Sequence, residues 1–401
     1  MREATLARAL RRYDVAPHLV FWETTKACSL ACRHCRASAQ PDPSPGELTT
    51  APGLALLEQV AAIDGPRPIV VFTGGDCLAR SDIFELVGYA NELGLRTGVA
   101  PSVTERLTPE ALTRLQGLGV RALSISLDGS CASTHDALRG IPGHFDSTVA
   151  AIELAVSMGF RVQVNTTVMQ SNAEELADVL ALLLRLNVRI WEVFFLVGVG
   201  RGSAVAEVSA ADAEDVCHFL VDATAFGVTV RTVEGPFFRR VQAQRASAGV
   251  DDPRTVVALG PLYDTLRARL DALPGRAERP AASGTLATGD GRGVVFVGHD
   301  GQVHASGFLP VDLGNVTTED LGEIYATHPL LTALRAGALE GACGACDYAR
   351  LCGGSRARAY ASRGRVLGDD PACALTPTRS LGRPARERTL ADTRRVSLVS
   401  R

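Results

Sequence analysis

The decisive stretch of this sequence is HLVFWETTKACSLACRHC, residues His18–Cys35, in which an apolar, strand-like run passes directly into a cysteine loop. Cys28, Cys32 and Cys35 follow the spacing Cys-x3-Cys-x2-Cys. Three thiolates at this spacing can bind one cubic [4Fe–4S] cluster and leave its fourth iron open to a substrate or cofactor. A zinc site is the alternative, because His34 could supply a fourth ligand.

The composition is that of an ordinary globular chain. The 401 residues are 46% hydrophobic and 21% charged, which is sufficient to bury a core. The net charge of −3 offers no electrostatic basis for binding nucleic acid or an acidic membrane. The sequence contains neither an apolar run of membrane-spanning length nor a signal-peptide pattern, so we expect a cytoplasmic protein without membrane partners.

Between about residues 17 and 205, short β-branched runs alternate with amphipathic helical patterns, which predicts βα units and a parallel sheet. Six such units are too few to close an eight-stranded barrel. The predicted strands are His18–Thr24, Pro68–Phe72, Arg96–Val99, Ala122–Leu127, Arg161–Thr167 and Arg189–Leu196. In folds of this kind the chemistry lies at the carboxyl ends of the strands, where the motifs of this half of the chain fall.

The remaining chain divides by composition. We expect an N-terminal extension over residues 1–16, the α/β core over 17–205 and a helical and loop connector over 206–289. A small domain follows over residues 290–375. Residues 376–401 form an Arg-rich tail that we expect to be disordered.

Ten cysteines in a cytoplasmic chain favour metal binding over disulfides. The second cysteine group consists of Cys343, Cys346, Cys352 and Cys373, and its spacing is Cys-x2-Cys-x5-Cys followed by a distant fourth cysteine. Four thiolates can ligate one [4Fe–4S] cluster completely or hold a structural zinc ion, and the spacing alone does not decide between them. The cysteines outside both groups, Cys77, Cys131 and Cys217, are expected to be ordinary buried thiols.

Over residues 17–375 the chain resembles the radical S-adenosylmethionine (SAM) enzymes with a C-terminal SPASM or twitch domain, in the branch of haem-maturation, haem d1 and peptide-modifying enzymes. The resemblance implies an α/β fold, a partial (β/α)6 TIM-like barrel with a small iron–sulfur domain at its C-terminal end. It also implies that SAM binds the open iron of the first cluster. Reduction of that cluster then cleaves SAM to methionine and a 5′-deoxyadenosyl radical, which abstracts hydrogen from a substrate.

The same resemblance assigns the SAM contacts. Backbone carbonyls of a glycine motif after the second strand, Thr73-Gly74-Gly75-Asp76, would receive the amino group of SAM, with Asp76 in place of the family's Glu. Ser126 and Asn165, on the fourth and fifth strands, would contact the ribose or carboxylate. Arg201, in a glycine turn after the sixth strand, would bind the carboxylate. Asp128 would organise its loop or meet the substrate.

The second cysteine group departs from a full SPASM domain, which binds two auxiliary clusters. Further cysteine ligands would be expected near Ser306 and Arg356, where the chain has other residues. We therefore predict one auxiliary [4Fe–4S] cluster, fully ligated by the four cysteines and acting in electron transfer or structure.

Three functions remain open. The first is oxidative modification of a tetrapyrrole, a peptide or another small molecule, with electrons supplied by a donor such as flavodoxin or ferredoxin. The second is a radical SAM epimerase or isomerase in which Cys77 returns a hydrogen atom. The third is a non-catalytic zinc-binding scaffold. Candidate substrate-facing residues are Glu23, Glu192, Glu234, Arg239, His299, His304, Arg356 and Tyr360.

Overall fold

A computed structural model describes residues 12–250, 252–255, 257–278, 281 and 288–375. The predicted disordered tail, residues 1–11 of the N-terminal extension and most of residues 279–287 of the connector lie outside these ranges. No helix of the described residues is long and apolar enough to cross a membrane.

The described residues contain nine strands that form a single sheet. They are β1 (Leu19–Glu23), β2 (Ile69–Thr73), β3 (Arg96–Val99), β4 (Ala122–Ser126), β5 (Arg161–Val168), β6 (Ile190–Phe195), β7 (Thr229–Val233), β8 (Val294–Val297) and β9 (Val303–His304). Their order is β7-β6-β5-β4-β3-β2-β1-β8-β9. Neighbouring strands are parallel except for the antiparallel pair β8 and β9.

The first nine helices of the described residues are α1 (Thr50–Ala62), α2 (Ile83–Glu92), α3 (Pro109–Gly117), α4 (Ala132–Arg139), α5 (His144–Ser157), α6 (Leu176–Arg185), α7 (Ala210–Ala223), α8 (Phe237–Ala248) and α9 (Pro261–Asp271). The later helices are α10 (Leu321–Thr327), α11 (Pro329–Ala336), α12 (Gly341–Ala345) and α13 (Arg356–Arg363). Local sequence explains where several of these helices begin. The Thr108 hydroxyl accepts a hydrogen bond from the Ala111 N–H at the beginning of α3, where Pro109 has no N–H that needs a partner.

Alternating side chains of the strands divide the interior into two regions. Val20 and Trp22 of β1 are fully buried in the hydrophobic core, and Gly53 of α1 leaves room for the Trp22 ring. Leu19 and Phe21 of the same strand point to the opposite face and line a central cavity. The inner face of the sheet is therefore a cavity wall rather than a closed core.

The predicted partial barrel is confirmed, with all six expected strands present as β1 to β6. The sheet is nevertheless larger than predicted. β7, from the expected connector, pairs with β6, and β8, from the expected small domain, pairs with β1 so that Leu19 lies opposite Val294. The pairing could not be predicted because it depends on contacts between residues distant in sequence. The proposed division of residues 17–375 into three domains stays a prediction.

Candidate active site

The first cysteine loop follows β1 and is tied to the turn after β2 by backbone hydrogen bonds. The N–H of Gly75 donates to the carbonyl of Thr25, and the N–H of Asp76 donates to the carbonyl of Ala27, both at 2.7 Å. The N–H of Cys28 donates to the carbonyl of Gln40, also at 2.7 Å. The two ends of the loop and the glycine motif are therefore one backbone unit.

Two glycines allow this close approach. A Cβ atom on Gly75 would lie 2.5 Å from the carbonyl oxygen of Ala27, just before Cys28. A Cβ on Gly200, whose φ is +57°, would lie 2.3 Å from the carbonyl oxygen of Arg36, just after Cys35. Both glycine turns singled out in the sequence thus pack against the cysteine loop. Sequence analysis missed this role because the contact joins segments that meet only in the folded chain.

Each sulfur of the first group receives a hydrogen bond from nitrogen. The Leu30 N–H donates to Cys28 at 3.4 Å, the Ala39 N–H to Cys35 at 3.5 Å, and Nη1 of Arg139 to Cys32 at 3.5 Å. Such donors favour the thiolate, the form that binds iron, although burial raises the pKa of Cys28. All three cysteines are free and pack in one cluster. This donor set fits an iron–sulfur cluster.

Asp128, two residues after β4, contacts the cysteine loop, α4 and β5, and its two predicted roles stay predictions. Its carboxylate forms buried ion pairs with Arg139 and, at 3.2 Å, with Nε2 of His34. It also accepts a hydrogen bond from the Thr167 N–H at 2.8 Å. Burial alone would raise the pKa of Asp128, but the charges of Arg139 and His34 outweigh burial and lower it. The carboxylate is therefore ionised and fixes Arg139 beside Cys32.

These contacts also bear on the zinc alternative. Nε2 of His34 is engaged with Asp128. Its Nδ1 is buried and has no hydrogen-bond partner within the described part of the chain, so His34 alone does not decide between zinc and iron.

The residues predicted to contact SAM differ in their position and in their hydrogen-bond partners. The carboxylate of Asp76 is buried and accepts hydrogen bonds from Thr104 Oγ1 at 2.7 Å and from the Leu78 N–H at 3.2 Å. Burial raises the pKa of Asp76. Its side chain therefore supports the neighbouring loop, whereas the predicted SAM contact concerned the backbone of the motif. Asn165 and Thr73 line the central cavity, and Ser126 lies opposite Asn165 in the β4–β5 pair.

Arg201 is held against the cysteine loop. Its Nε donates to the carbonyl of Cys32 at 2.9 Å and its Nη1 to the carbonyl of Ala39 at 2.6 Å. The third nitrogen, Nη2, is buried and has no hydrogen-bond partner within the described part of the chain. One donor of Arg201 thus remains available to an anion, as the SAM carboxylate assignment requires.

A cavity of about 460 Å³ occupies the inner face of the sheet. Its walls include side chains from β1 to β8 and from the segment that carries the second cysteine group. Arg36, next to Cys35, lines one part of the cavity, and Cys352 lines another. The volume is in the range of small-molecule and cofactor pockets, about 300–1,000 Å³.

Only some of the residues predicted to face the substrate line this cavity. Four of the eight line it, namely Glu192, Glu234, Arg239 and Arg356, whereas Glu23, His299, His304 and Tyr360 are not among its lining residues. Sequence analysis missed five charged residues of the wall: Arg36, Arg161, Arg231, Asp290 and Arg292. The alternation of β7 is the one signal that could have indicated Arg231. Glu23 is instead buried in an ion pair with Arg36 at 3.0 Å.

The second cysteine group surrounds a separate cavity of about 190 Å³. Cys343, Cys346, Cys352 and Cys373 all line this cavity, and Cys352 lines the central cavity as well. The Tyr348 N–H donates to the sulfur of Cys346 at 3.4 Å, and Nη2 of Arg356 approaches the sulfur of Cys343 at 3.7 Å. A cavity walled by four free thiols and nitrogen donors fits a fully ligated cluster. Burial raises the pKa of Cys352 to about 11.

Charged side chains connect the second group to the barrel. Arg358 of α13 is buried and pairs with Glu207 at 3.0 Å and with Asp370 at 3.4 Å. Its Nη1 also donates to the carbonyl of Glu234, just after β7, at 2.9 Å. Arg356, where a further cysteine ligand was considered, donates to the carbonyls of Val366 and Gly368.

The cysteines outside the two groups were expected to be buried. Cys77 and Cys217 are fully buried, but the prediction was wrong for Cys131, which is exposed. Cys131 precedes α4 at its N-cap position, where the chain turns on the surface and its sulfur contacts the Ser133 hydroxyl. Cys77 packs in the hydrophobic core and is not one of the residues that line the central cavity, so its position does not support a hydrogen-donor role.

Comparisons with known proteins agree with this arrangement. Residues 22–183 match the family described as the radical SAM superfamily. The AdoMet-dependent heme synthase of Nitratidesulfovibrio vulgaris is 35% identical over 90% of this chain and 93% of its own length. The mycofactocin maturase MftC of Mycobacterium ulcerans is 30% identical over 89% and 88%.

A crystal structure of Streptococcus suis SuiB bound to precursor peptide SuiA superposes with a TM-score of 0.64, covering 93% of this chain and 80% of SuiB at 14% identity. That likeness concerns the fold. Membership shown by the sequence relatives implies a [4Fe–4S] cluster and SAM, and it removes the non-catalytic scaffold from the three functions considered. The chain belongs to the radical SAM enzymes.

Proposed function

We propose that Cys28, Cys32 and Cys35 bind the SAM-cleaving [4Fe–4S] cluster, and that the second cysteine group binds one auxiliary [4Fe–4S] cluster. The enzyme would oxidise a carboxylate-bearing side chain of a tetrapyrrole. The proposal rests on one observation. The central cavity is bordered by Arg36, next to the first cysteine group, and by Cys352 of the second. A substrate there would lie between the site of hydrogen abstraction and an electron acceptor.

The chain's own residues would prepare the first site. When bound, the cluster and SAM supply a 5′-deoxyadenosyl radical that abstracts hydrogen. The free Nη2 of Arg201 would bind the SAM carboxylate, while Asn165 and the backbone of Thr73–Asp76 would orient the rest of the cofactor. The enclosing apolar wall would exclude water from the radical.

The substrate class follows from the relatives and from the cavity. Heme synthases are among the relatives that cover nearly the whole chain. Apolar side chains such as Leu19, Val71 and Phe194 share the cavity wall with Arg231 and with Arg36, whose guanidinium group also pairs with Glu23. This combination suits a flat, apolar macrocycle that carries carboxylates, because guanidinium groups bind carboxylates with two parallel hydrogen bonds.

The atoms and electrons of an oxidative decarboxylation balance when the second cysteine site accepts one electron. Removal of one hydrogen atom from the carbon next to the macrocycle in a propionate side chain leaves a carbon radical. Loss of the carboxylate as CO2, together with transfer of one electron to the second cysteine site, gives a vinyl group. Cys352 lines both cavities, which supports a short path for that electron. A small donor such as flavodoxin or ferredoxin would reduce the first cluster.

The test is label transfer. Reduced enzyme is incubated anaerobically with SAM and an iron tetrapyrrole deuterated in its propionate side chains, and 5′-deoxyadenosine is examined by mass spectrometry. We expect one deuterium in 5′-deoxyadenosine and release of CO2. SAM cleavage without label transfer from any tetrapyrrole would contradict the substrate class.

A peptide is the second candidate substrate, favoured by the 30% identity to mycofactocin maturase over 89% of the chain. The same label-transfer assay decides between them. Deuterium that appears in 5′-deoxyadenosine from a labelled peptide, but not from a tetrapyrrole, would establish the peptide.

A further inference from the structure

Two arginines lie together where the central cavity meets the second cysteine group. Arg239, in the first turn of α8, donates through Nη1 to the carbonyl of Thr288 at 2.6 Å. Arg292, just before β8, donates through Nη1 to the carbonyl of Arg350, two residues before Cys352, at 3.1 Å. Both side chains line the cavity. One backbone carbonyl for each guanidinium leaves most of its donors unused.

Neither positive charge is paired directly with a carboxylate, and the nearest groups of opposite charge are Asp290 and the thiol of Cys352. Within the described ranges, neither Arg239 nor Arg292 forms an ion pair with an Asp or Glu at 4 Å or less, and the Nε atom of each is buried without a hydrogen-bond partner. Asp290 lies near Arg239, but one of its carboxylate oxygens already accepts the N–H groups of Arg356 and Ala357 at the start of α13. Burial of two like charges is unfavourable unless an anion joins them.

The pKa of Arg292 agrees with this environment. Burial and the neighbouring charge of Arg239 lower the pKa of Arg292 to about 10. Arg292 is therefore still protonated at neutral pH, and its charge is present to attract an anion.

We infer that Arg239 and Arg292 form an anion subsite that binds a carboxylate of the substrate, one that is retained in the product. The inference rests on the proposed function for the identity of the substrate. The subsite is distinct from the predicted SAM carboxylate contact, because Arg201 bonds to Cys32 and Ala39 of the first cysteine loop. Arg239 and Arg292 instead adjoin Thr288 and Arg350.

The chemistry identifies which carboxylate is bound. A carboxylate paired with two buried guanidinium groups is stabilised relative to neutral CO2, so its departure is disfavoured. The pair therefore suits a spectator carboxylate that anchors the macrocycle and sets which other side chain faces the radical. It acts as a binding and specificity element.

Binding can be measured without turnover. The probe is haem, iron protoporphyrin IX with two propionates, titrated anaerobically into the cluster-loaded enzyme and followed by its Soret absorbance. The comparison ligand is haem dimethyl ester, which lacks the negative charges. The variants are Arg239→Gln, Arg292→Gln and Arg239→Lys. Arg185→Gln, at the exposed end of α6, removes an equal charge away from the cavity. Iron content and thermal denaturation check that each variant is folded.

We expect each Gln substitution to raise the Kd of haem about tenfold, as expected for a lost charge-assisted contact, with a smaller rise for Arg239→Lys. Arg185→Gln should bind as the wild type does. The ester should bind the wild type weakly and be unaffected by the Gln substitutions. Haem binding that is unchanged in both Gln variants would overturn the subsite alone. A wild type that binds neither haem nor its ester would overturn the tetrapyrrole proposal and the subsite with it.

Discussion

The two cysteine groups are held by different kinds of contact. The loop around Cys28 is fixed by backbone hydrogen bonds to the end of a buried parallel strand, such as the 2.7 Å bond from Asp76 to Ala27. The loop also has the buried ion pair of Asp128 with Arg139, whereas the segment around Cys352 meets the barrel through Arg358, which pairs with the partly exposed Glu207. Backbone bonds at a strand end are lost only when the sheet opens, whereas one substitution removes an ion pair. The second group should therefore be separable from the first.

The two groups also differ in exposure. Cys28 and Cys32 are buried at 7% and 8% exposure, while Cys343 and Cys346 are only half-buried. The more enclosed group is the one proposed to keep an open iron for SAM. Water exclusion at that iron protects a radical, whereas a fully ligated cluster that only transfers electrons tolerates partial exposure.

The largest effect is expected from removing ligands of one group at a time. Cys28→Ala should abolish SAM cleavage, because the open-iron cluster would lose a ligand. Cys343→Ala should retain SAM cleavage but lose the oxidised product. Each variant should hold about four irons per chain instead of about eight, since each cluster contains four. The measurements are iron content and 5′-deoxyadenosine yield under strong reductant.

Equal SAM cleavage by both variants would contradict this assignment of the two groups. Cys217→Ala, at a buried cysteine outside both groups, is the control and should retain the iron content of the wild type.

A second prediction concerns the ion pair beneath the second cysteine group. Arg240 lines the smaller cavity, and its Nη1 donates to Oε1 of Glu214 on α7 at 2.8 Å. Glu214→Gln leaves the buried Arg240 charge unpaired, so we expect a loss of about 3 kcal/mol in the free energy of unfolding. Thermal denaturation measures the loss. Iron should be released from the second group before the first.

The matched control is Glu153→Gln, an exposed carboxylate on α5, which should change the free energy of unfolding by less than about 0.5 kcal/mol. Simultaneous release of iron from both groups in Glu214→Gln would show that they are not separable.

A third prediction probes the contact that fixes the first group. In Gly75→Ala the added Cβ would meet the carbonyl oxygen of Ala27 at 2.5 Å, so the cysteine loop has to shift. We expect a destabilisation of about 1–3 kcal/mol, typical of overpacking, and a selective loss of iron from the first cluster. Gly117→Ala is the control, because its Cβ meets nothing within 4 Å. Undiminished SAM cleavage in Gly75→Ala would contradict the proposed role of the glycine.

Much of this architecture could be predicted from the sequence. The alternation of short apolar runs and amphipathic helices predicted β1 to β6, because local periodicity reports burial of one face. Cysteine spacing predicted both groups, and the four cysteines of the second surround one cavity. These features depend on residues close together in sequence or on a residue type whose chemistry is distinctive.

The features that were missed depend on long-range contacts. β8 pairs with β1 across more than half of the chain, and no local pattern encodes that pairing. Arg292 lines the cavity because it lies just before β8, so its position could not be known without the pairing. Glu23 was expected to face the substrate, yet the loop after β1 folds back and places Arg36 against it. Polar residues are assigned to a site or to an ion pair only by their folded neighbours.

The smallest expected effect is a pH dependence that separates the two groups. Burial alone would raise the pKa of Glu214, but the hydrogen bonds from Arg240 and the neighbouring His218, 3.7 Å away, outweigh burial and lower it from 4.5 to about 2. Because the folded-state pKa is depressed, the Glu214 contribution to stability is present above pH 4.5 and is lost as pH falls towards 2. At pH 4 we expect a loss of less than about 1 kcal/mol.

The wild type and Glu214→Gln should therefore differ in melting temperature by a constant amount between pH 7 and 5, and by less at pH 4. If the difference in melting temperature stays constant down to pH 4, Glu214 does not titrate between pH 7 and 4. The Asp128 pair of the first group should persist further into acid, since its carboxylate lies between the charges of Arg139 and His34. Acid should thus weaken the contacts around the second cysteine group first, as the comparison of the two regions requires.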